Sequence, residues 1–119
     1  MHHNKVAFFV VNRELGPFIL AMKNAKAMVK AGKEVVIVLE EKGTALLFEM
    51  KDTTRLSSKM FEELVQAHMV VVCRACAVKT EALFAVSGAS KIKFVADADV
   101  DGHVSMNTYI DRGFQIITV

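Results

Sequence analysis

Cysteine and proline are scarce in this chain: 119 residues hold two cysteines, only three positions apart, and one proline. Two cysteines that close do not form the disulfide framework of a small secreted domain, and a chain of this size does not need one. A reducing compartment, the cytoplasm, is expected. No charge of one sign prevails. Fifteen basic and 13 acidic residues leave a net charge of +2, and no basic stripe marks a direct nucleic-acid partner. The nine aromatic residues, eight Phe and one Tyr, fall mostly in strands or on helix faces, so a base-stacking platform is not indicated. Neither the apolar run Val6-Ala7-Phe8-Phe9-Val10-Val11 nor the stretch around Met69 to Val72 approaches the length of a membrane span. The first five residues lead straight into a strand and lack a signal-peptide pattern.

Several catalytic signatures are missing too. There is no G-x-G-x-x-G after the first strand, no G-x-x-x-x-G-K-[ST] and no G-x-S-x-G, which disfavours a dinucleotide fold, a P-loop ATPase and a hydrolase elbow. The first loop lacks the Ser/Thr/Gly-rich run of flavodoxin-like phosphate binding. No repeat, linker or low-complexity tract divides the sequence, so residues 1–119 read as one domain. Apolar residues make up 53% and charged residues 24%, the balance of a chain that folds rather than one that stays disordered.

The apolar segments are arranged in a regular order. Residues 6–11 are continuously apolar, as expected for a strand buried on both faces of a parallel sheet. A loop over residues 12–17 is expected, then a helix carrying Phe18, Met22, Ala25 and Val29 on its inner face and stopped by Gly32. Residues 35–39 read as a second buried strand, completing a βαβ unit. Residues 45–48 fit a short helix or a short extra strand. A second amphipathic helix presents Met60, Phe61, Leu64 and Val65 inward, with Thr54, Ser57 or Ser58 as its cap. Residues 69–72 form the third strand, with Cys73 at its end. Residues 75–86 read as a helix with Val78, Ala82 and Ala85 inside. Leu83 and Phe84 widen its apolar arc into a second contact surface, which suggests another subunit. A fourth strand is expected over 92–96, a last helix over 104–110 and a closing strand over 114–119. The fold class that follows is α/β: a three-layer sandwich with a mainly parallel four- or five-stranded sheet, flavodoxin-like in architecture. Its ligands would bind beyond the carboxyl ends of the strands, near residues 12–17, 40–43, 73–76 and 96–101.

The chemistry concentrates in Cys73-Arg74-Ala75-Cys76, a C-x-x-C where a strand gives way to a helix. Free amide groups in a first helical turn and the positive charge of Arg74 stabilise a thiolate, the nucleophile of disulfide exchange and the acceptor of sulfane sulfur. Cys73, at the strand end, is expected to be the more exposed sulfur, with Cys76 as a resolving or supporting thiol. The plainer alternative is that both are small hydrophobes packed in the core, in a non-enzymatic oligomeric module that binds a partner or small ligand; burial of both sulfurs would support it. Zinc needs two more ligands; His68 and His103 suffice in number, but their spacing matches no standard finger, so no metal ligand is assigned. His103, near the expected rim, can aid proton transfer. Asp97, Asp99 and Asp101 before Gly102 resemble the start of a calcium loop, but Thr108 stands where the bidentate Glu belongs. A polar turn is the simpler reading, with Asp101 capping the last helix. Arg13, Lys42 and Gly43 fall on the same rim.

The segment Met69-Val70-Val71-Val72-Cys73-Arg74-Ala75-Cys76-Ala77 resembles the corresponding part of the DsrE/DsrF-like family of small sulfur-relay proteins. That family includes the sulfurtransferase subunits of the tRNA 2-thiouridine pathway. The opening Lys5 to Val10, the helix leading to Glu34 to Leu39, and the closing Tyr109 to Val119 are similar as well. The resemblance implies a DsrE-like fold and a persulfide carried on Cys73 or Cys76, with no organic cofactor. It also implies homo-oligomers (dimer, trimer or hexamer) and protein sulfur donors or acceptors. Where members often carry an Arg-Gly pair beyond the cysteine, this chain has Lys79-Thr80.

Overall fold

The computed structural model describes residues 4–119; the first three residues, where the absence of a leader pattern was read, lie outside the described residues. Five strands form one all-parallel sheet: β1 (Lys5–Val10), β2 (Glu34–Leu39), β3 (Val70–Cys73), β4 (Lys93–Val95) and β5 (Gln115–Thr118), in the order β4-β3-β2-β1-β5. Helices on both faces complete the three-layer, flavodoxin-like sandwich. They are α1 (Leu15–Lys30), α2 (Leu46–Glu49), α3 (Leu56–Gln66), α4 (Arg74–Lys79) and α5 (Met106–Asp111). No helix among the described residues is long and apolar enough to cross a membrane.

Strand alternation divides the apolar residues into two layers. Val6, Phe8 and Val10 of β1, Val35, Ile37 and Leu39 of β2, and Val70 and Val72 of β3 share one layer with α1, α2 and α3. The opposite residues, Ala7, Phe9, Val36, Val38, Val71 and Cys73, meet Val104, Tyr109 and Phe114. Of the five helices, α5 is the one that adds to this second layer, apart from Cys76 of α4. Tyr109 packs edge-on against both Phe9 (5.8 Å) and Phe114 (5.3 Å). The period of two explains why Cys73 joins this thinner layer, since it follows Val71 on the same face.

Several local expectations are corrected. Helix α1 begins at Leu15, inside the expected loop. Pro17 occupies the first turn, where its missing N–H has no intrahelical partner to lose. Its buried residues are Phe18, Ala21, Met22 and Ala25; Val29 is exposed, and Met28 faces the core instead. Residues 41–49 are helical, a 3-10 turn (Glu41–Ala45) running into α2, and not a strand. None of the expected hydroxyl caps holds α3: its N-cap position is Arg55, without a side-chain bond. The expected helix over 75–86 is broken. Thr80 turns its hydroxyl back to the Cys76 carbonyl (3.1 Å), Glu81 adopts φ 64°, and a separate 3-10 turn follows at Ala82–Ala85. Val78 is therefore exposed, and Ala77 takes the inner position. The last helix starts at Met106, capped by Ser105 and not by Asp101.

Candidate functional site

Two independent pieces of chain meet above the carboxyl ends of β2 and β3. The first is the strand-to-helix junction. Cys73 closes β3 and is also the N-cap of α4, its Sγ accepting from the Cys76 N–H at 3.5 Å. This bond brings the second cysteine back toward the first, one helical turn on.

The second piece is the hairpin of residues 97–103. The Asp97 N–H donates to the His103 carbonyl (2.8 Å), and the His103 N–H donates to the Val100 carbonyl (3.1 Å). Asp101 and Gly102 occupy the tip with φ 53° and 88°. Two consecutive positive φ angles are the requirement of a type I′ turn, which Asp-Gly meets at little cost. The turn carries His103 back until its Nδ1 lies 3.3 Å from Cys73 Sγ and 3.4 Å from Cys76 Sγ. The acidic segment that resembled a calcium loop thus acts through its geometry. Asp97 Oδ2 accepts from the Ser105 N–H (2.8 Å), Asp99 Oδ2 accepts from Ser105 Oγ (2.6 Å), and Ser105 Oγ accepts from the Thr108 N–H.

The sulfurs are far less accessible than the thiol chemistry called for, and their burial is the condition that favours the non-enzymatic binding-module alternative. Cys73 is 0% exposed and Cys76 is 4% exposed. The order of exposure is also reversed, because β3 is an interior strand and buries its last residue under the hairpin. Burial, followed by the hydrogen bond with Cys73, pushes the Cys76 thiol up to about 12. Desolvation therefore outweighs the thiolate stabilisation expected from the helix end; Arg74, the third expected site residue, is exposed. Both cysteines are free thiols. The half-buried Glu40 is raised above the usual carboxylate range by burial and by Glu41, and His103 opposes that rise.

Thr44 and Thr80 were missed as structural supports of the site. Thr44 is fully buried; its Oγ1 lies 2.7 Å from Thr80 Oγ1, which reaches the Cys76 carbonyl. Gly43 has a sharper role than a break: a Cβ there would overlap the Val10 carbonyl. His68 is exposed after α3 and is not among the Cys73, Cys76 and His103 cluster. Arg13 and Lys42 line a shallow depression with Ala45, Phe48 and Thr80. The Asp101-Gly102 dipeptide was the signal that could have placed His103, because Asp-Gly is a strong hairpin marker.

The chain is 31% identical over 93 residues to the uncharacterised protein MJ0733 of Methanocaldococcus jannaschii, an alignment covering 78% of this chain and 72% of that relative. It belongs to the same family as MJ0733. No family model matches the chain, and no solved structure matches it.

Proposed function

We propose that the protein is a sulfur carrier that accepts a sulfane sulfur on Cys76 and passes it to a partner. The observation that carries this reading is the single imidazole nitrogen within 3.4 Å of both sulfurs. Deprotonating a thiol that burial holds protonated requires a base in contact with it. His103 Nδ1 takes the Cys76 proton, and the thiolate attacks the outer sulfur of a donor R–S–SH. The Cys76 S–S bond forms, the donor S–S bond breaks, and R–S⁻ leaves. Transfer to an acceptor thiolate reverses these roles. Cys76 leads because it keeps the pair's small solvent contact. The resemblance of the cysteine-bearing segment to the DsrE/DsrF-like family supports the same reading, in a reducing cytoplasm. A protein donor, acceptor or second copy of the chain would meet Val78 and Phe84, 56% and 85% exposed just after the cysteines.

The test is mass spectrometry of the full chain after exposure to a polysulfide donor. One added sulfur, removed by a reducing thiol and absent in Cys76→Ser, is expected. An unmodified wild-type protein at every donor concentration overturns the reading.

A dithiol redox role is the second reading. It is favoured by the Cys76 N–H donating to Cys73 Sγ, which holds the two sulfurs within 4.8 Å of each other. Here both thiols give up their protons and two electrons to a partner disulfide, leaving a Cys73–Cys76 bond. A partner disulfide that carries no sulfane sulfur distinguishes it: the redox reading expects loss of two hydrogens with that oxidant, and the carrier reading expects no added sulfur from it.

A further inference from the structure

We infer that Cys73, Cys76 and His103 form a zinc site with three protein ligands and one open position. The inference uses the thiols of the sulfur-carrier reading but does not rest on it. Its ground is the convergence of two sulfurs and one imidazole nitrogen on a common centre. Two sulfurs converge on one ring atom, His103 Nδ1, at 3.3 and 3.4 Å. A neutral imidazole nitrogen offers either one lone pair or one N–H. It serves one thiol, and the other bonds to its neighbouring sulfur. A cation placed between the three atoms satisfies all of them together.

The dimensions agree. Zinc binds thiolate sulfur near 2.3 Å and imidazole nitrogen near 2.0–2.1 Å, so the sulfur-to-nitrogen edge of its tetrahedron is about 3.6 Å. The two observed edges lie within about 0.3 Å of that value; the sulfur-to-sulfur edge of the same tetrahedron is about 3.8 Å, and the sulfurs, which lie within 4.8 Å of each other, would close by up to about 1 Å on binding. The donor set is soft sulfur plus imidazole, which suits Zn²⁺ and not the oxygen-seeking Mg²⁺ or Ca²⁺. Charge also balances. Binding releases two thiol protons, and two thiolates neutralise one Zn²⁺, so the cluster can stay buried.

Local structure holds the ligands before any metal arrives. The N-cap bond fixes the two cysteines one turn apart, and the type I′ turn with the Asp97–His103 bridge fixes the histidine. Three protein ligands leave a fourth position, the pattern of zinc sites that bind a water or a substrate atom.

Cobalt is the probe. The full chain, reduced and stripped with a chelator, is titrated with Co²⁺ and followed by visible d–d and thiolate-to-cobalt charge-transfer bands. Saturation at one Co²⁺ per chain, with the bands bleached by one equivalent of Zn²⁺, is expected. His103→Asn, its fold checked by thermal melting, should weaken binding by at least about tenfold, since even outer-shell losses cost 10–100-fold. A rise in the wild-type melting temperature with Zn²⁺ gives a second readout that needs no variant. Absence of charge-transfer bands in the reduced wild type overturns the site, as does unchanged affinity in His103→Asn. Sulfur loading is measured on the metal-free protein, so failure of zinc binding and failure of the carrier reading are told apart.

Discussion

The two faces of the sheet differ in thickness and in kind. One is covered by α1, α2 and α3 and filled with large apolar side chains, among them Phe8, Phe18, Met22, Ile37, Leu39 and Phe61. The other is covered by the six-residue α5 and the hairpin before it, and it contains both cysteines. The thick face behaves as a hydrophobic core, where burial of apolar area dominates. The thin face has a smaller apolar cluster around Phe9, Tyr109 and Phe114, and its cover is held by hydrogen bonds: Asp97 and Asp99 hold Ser105, and Ser105 caps α5. The proposed chemistry lies where the cover is light; local opening there needs fewer buried contacts to break than it would under a thick helical layer.

The largest effect that would test this contrast is on the thick face. Phe18 is fully buried and packs on Phe61 at 5.9 Å. Phe18→Ala should cost about 3–5 kcal/mol in urea unfolding. A cost near 1 kcal/mol would mean the thick face does not carry the stability.

Next is the thiol chemistry under the thin face. Alkylation of the folded protein at pH 8 should be at least about a hundredfold slower than in urea, given burial and a raised Cys76 thiol. The same shift has a stability consequence. Folding holds the Cys76 proton more tightly than the unfolded chain does, so the stabilising effect is full below the ordinary value of 9.0. It declines as pH rises from there through about 12. Urea midpoints measured across that range should fall, and fall less in Cys76→Ala.

A smaller effect is expected at the cover itself. Ser105→Ala removes the cap of α5 and the partner of Asp99 and should cost about 1–2 kcal/mol. Alkylation should accelerate by more than the change in global stability accounts for. Parallel changes in the two would show that the thin face opens only by global unfolding. The smallest effect is at the Lys26–Glu63 ion pair, 2.7 Å long but exposed, which joins α1 to α3. Lys26→Ala should shift stability by less than about 1 kcal/mol in the same assay.

Residues 5–39 were readable because long buried strands and a sixteen-residue helix repeat their pattern often enough to be unambiguous. Residues 74–91 and 97–105 were not, although the strand expected over 92–96 between them is present as β4. The helix breaks at Thr80 and Glu81, where Thr80 also meets Thr44, a residue 36 positions away, and no local pattern contains that contact. The site was half legible for the same reason. Cys73 and Cys76 announce themselves by spacing at a strand end, whereas His103 joins them across 30 residues through a turn.

The sequence by itself determined the parallel α/β architecture, because continuous apolar strands separated by amphipathic helices have few other ways to bury their surface. It also determined that two sulfurs would stand together at the end of β3, one helical turn apart. Only the tertiary structure decided that they would be buried, that a histidine would lie between them, and that one face of the sheet would be lightly covered. Those outcomes depend on where distant segments meet, and desolvation and ligand geometry exist only once they have met.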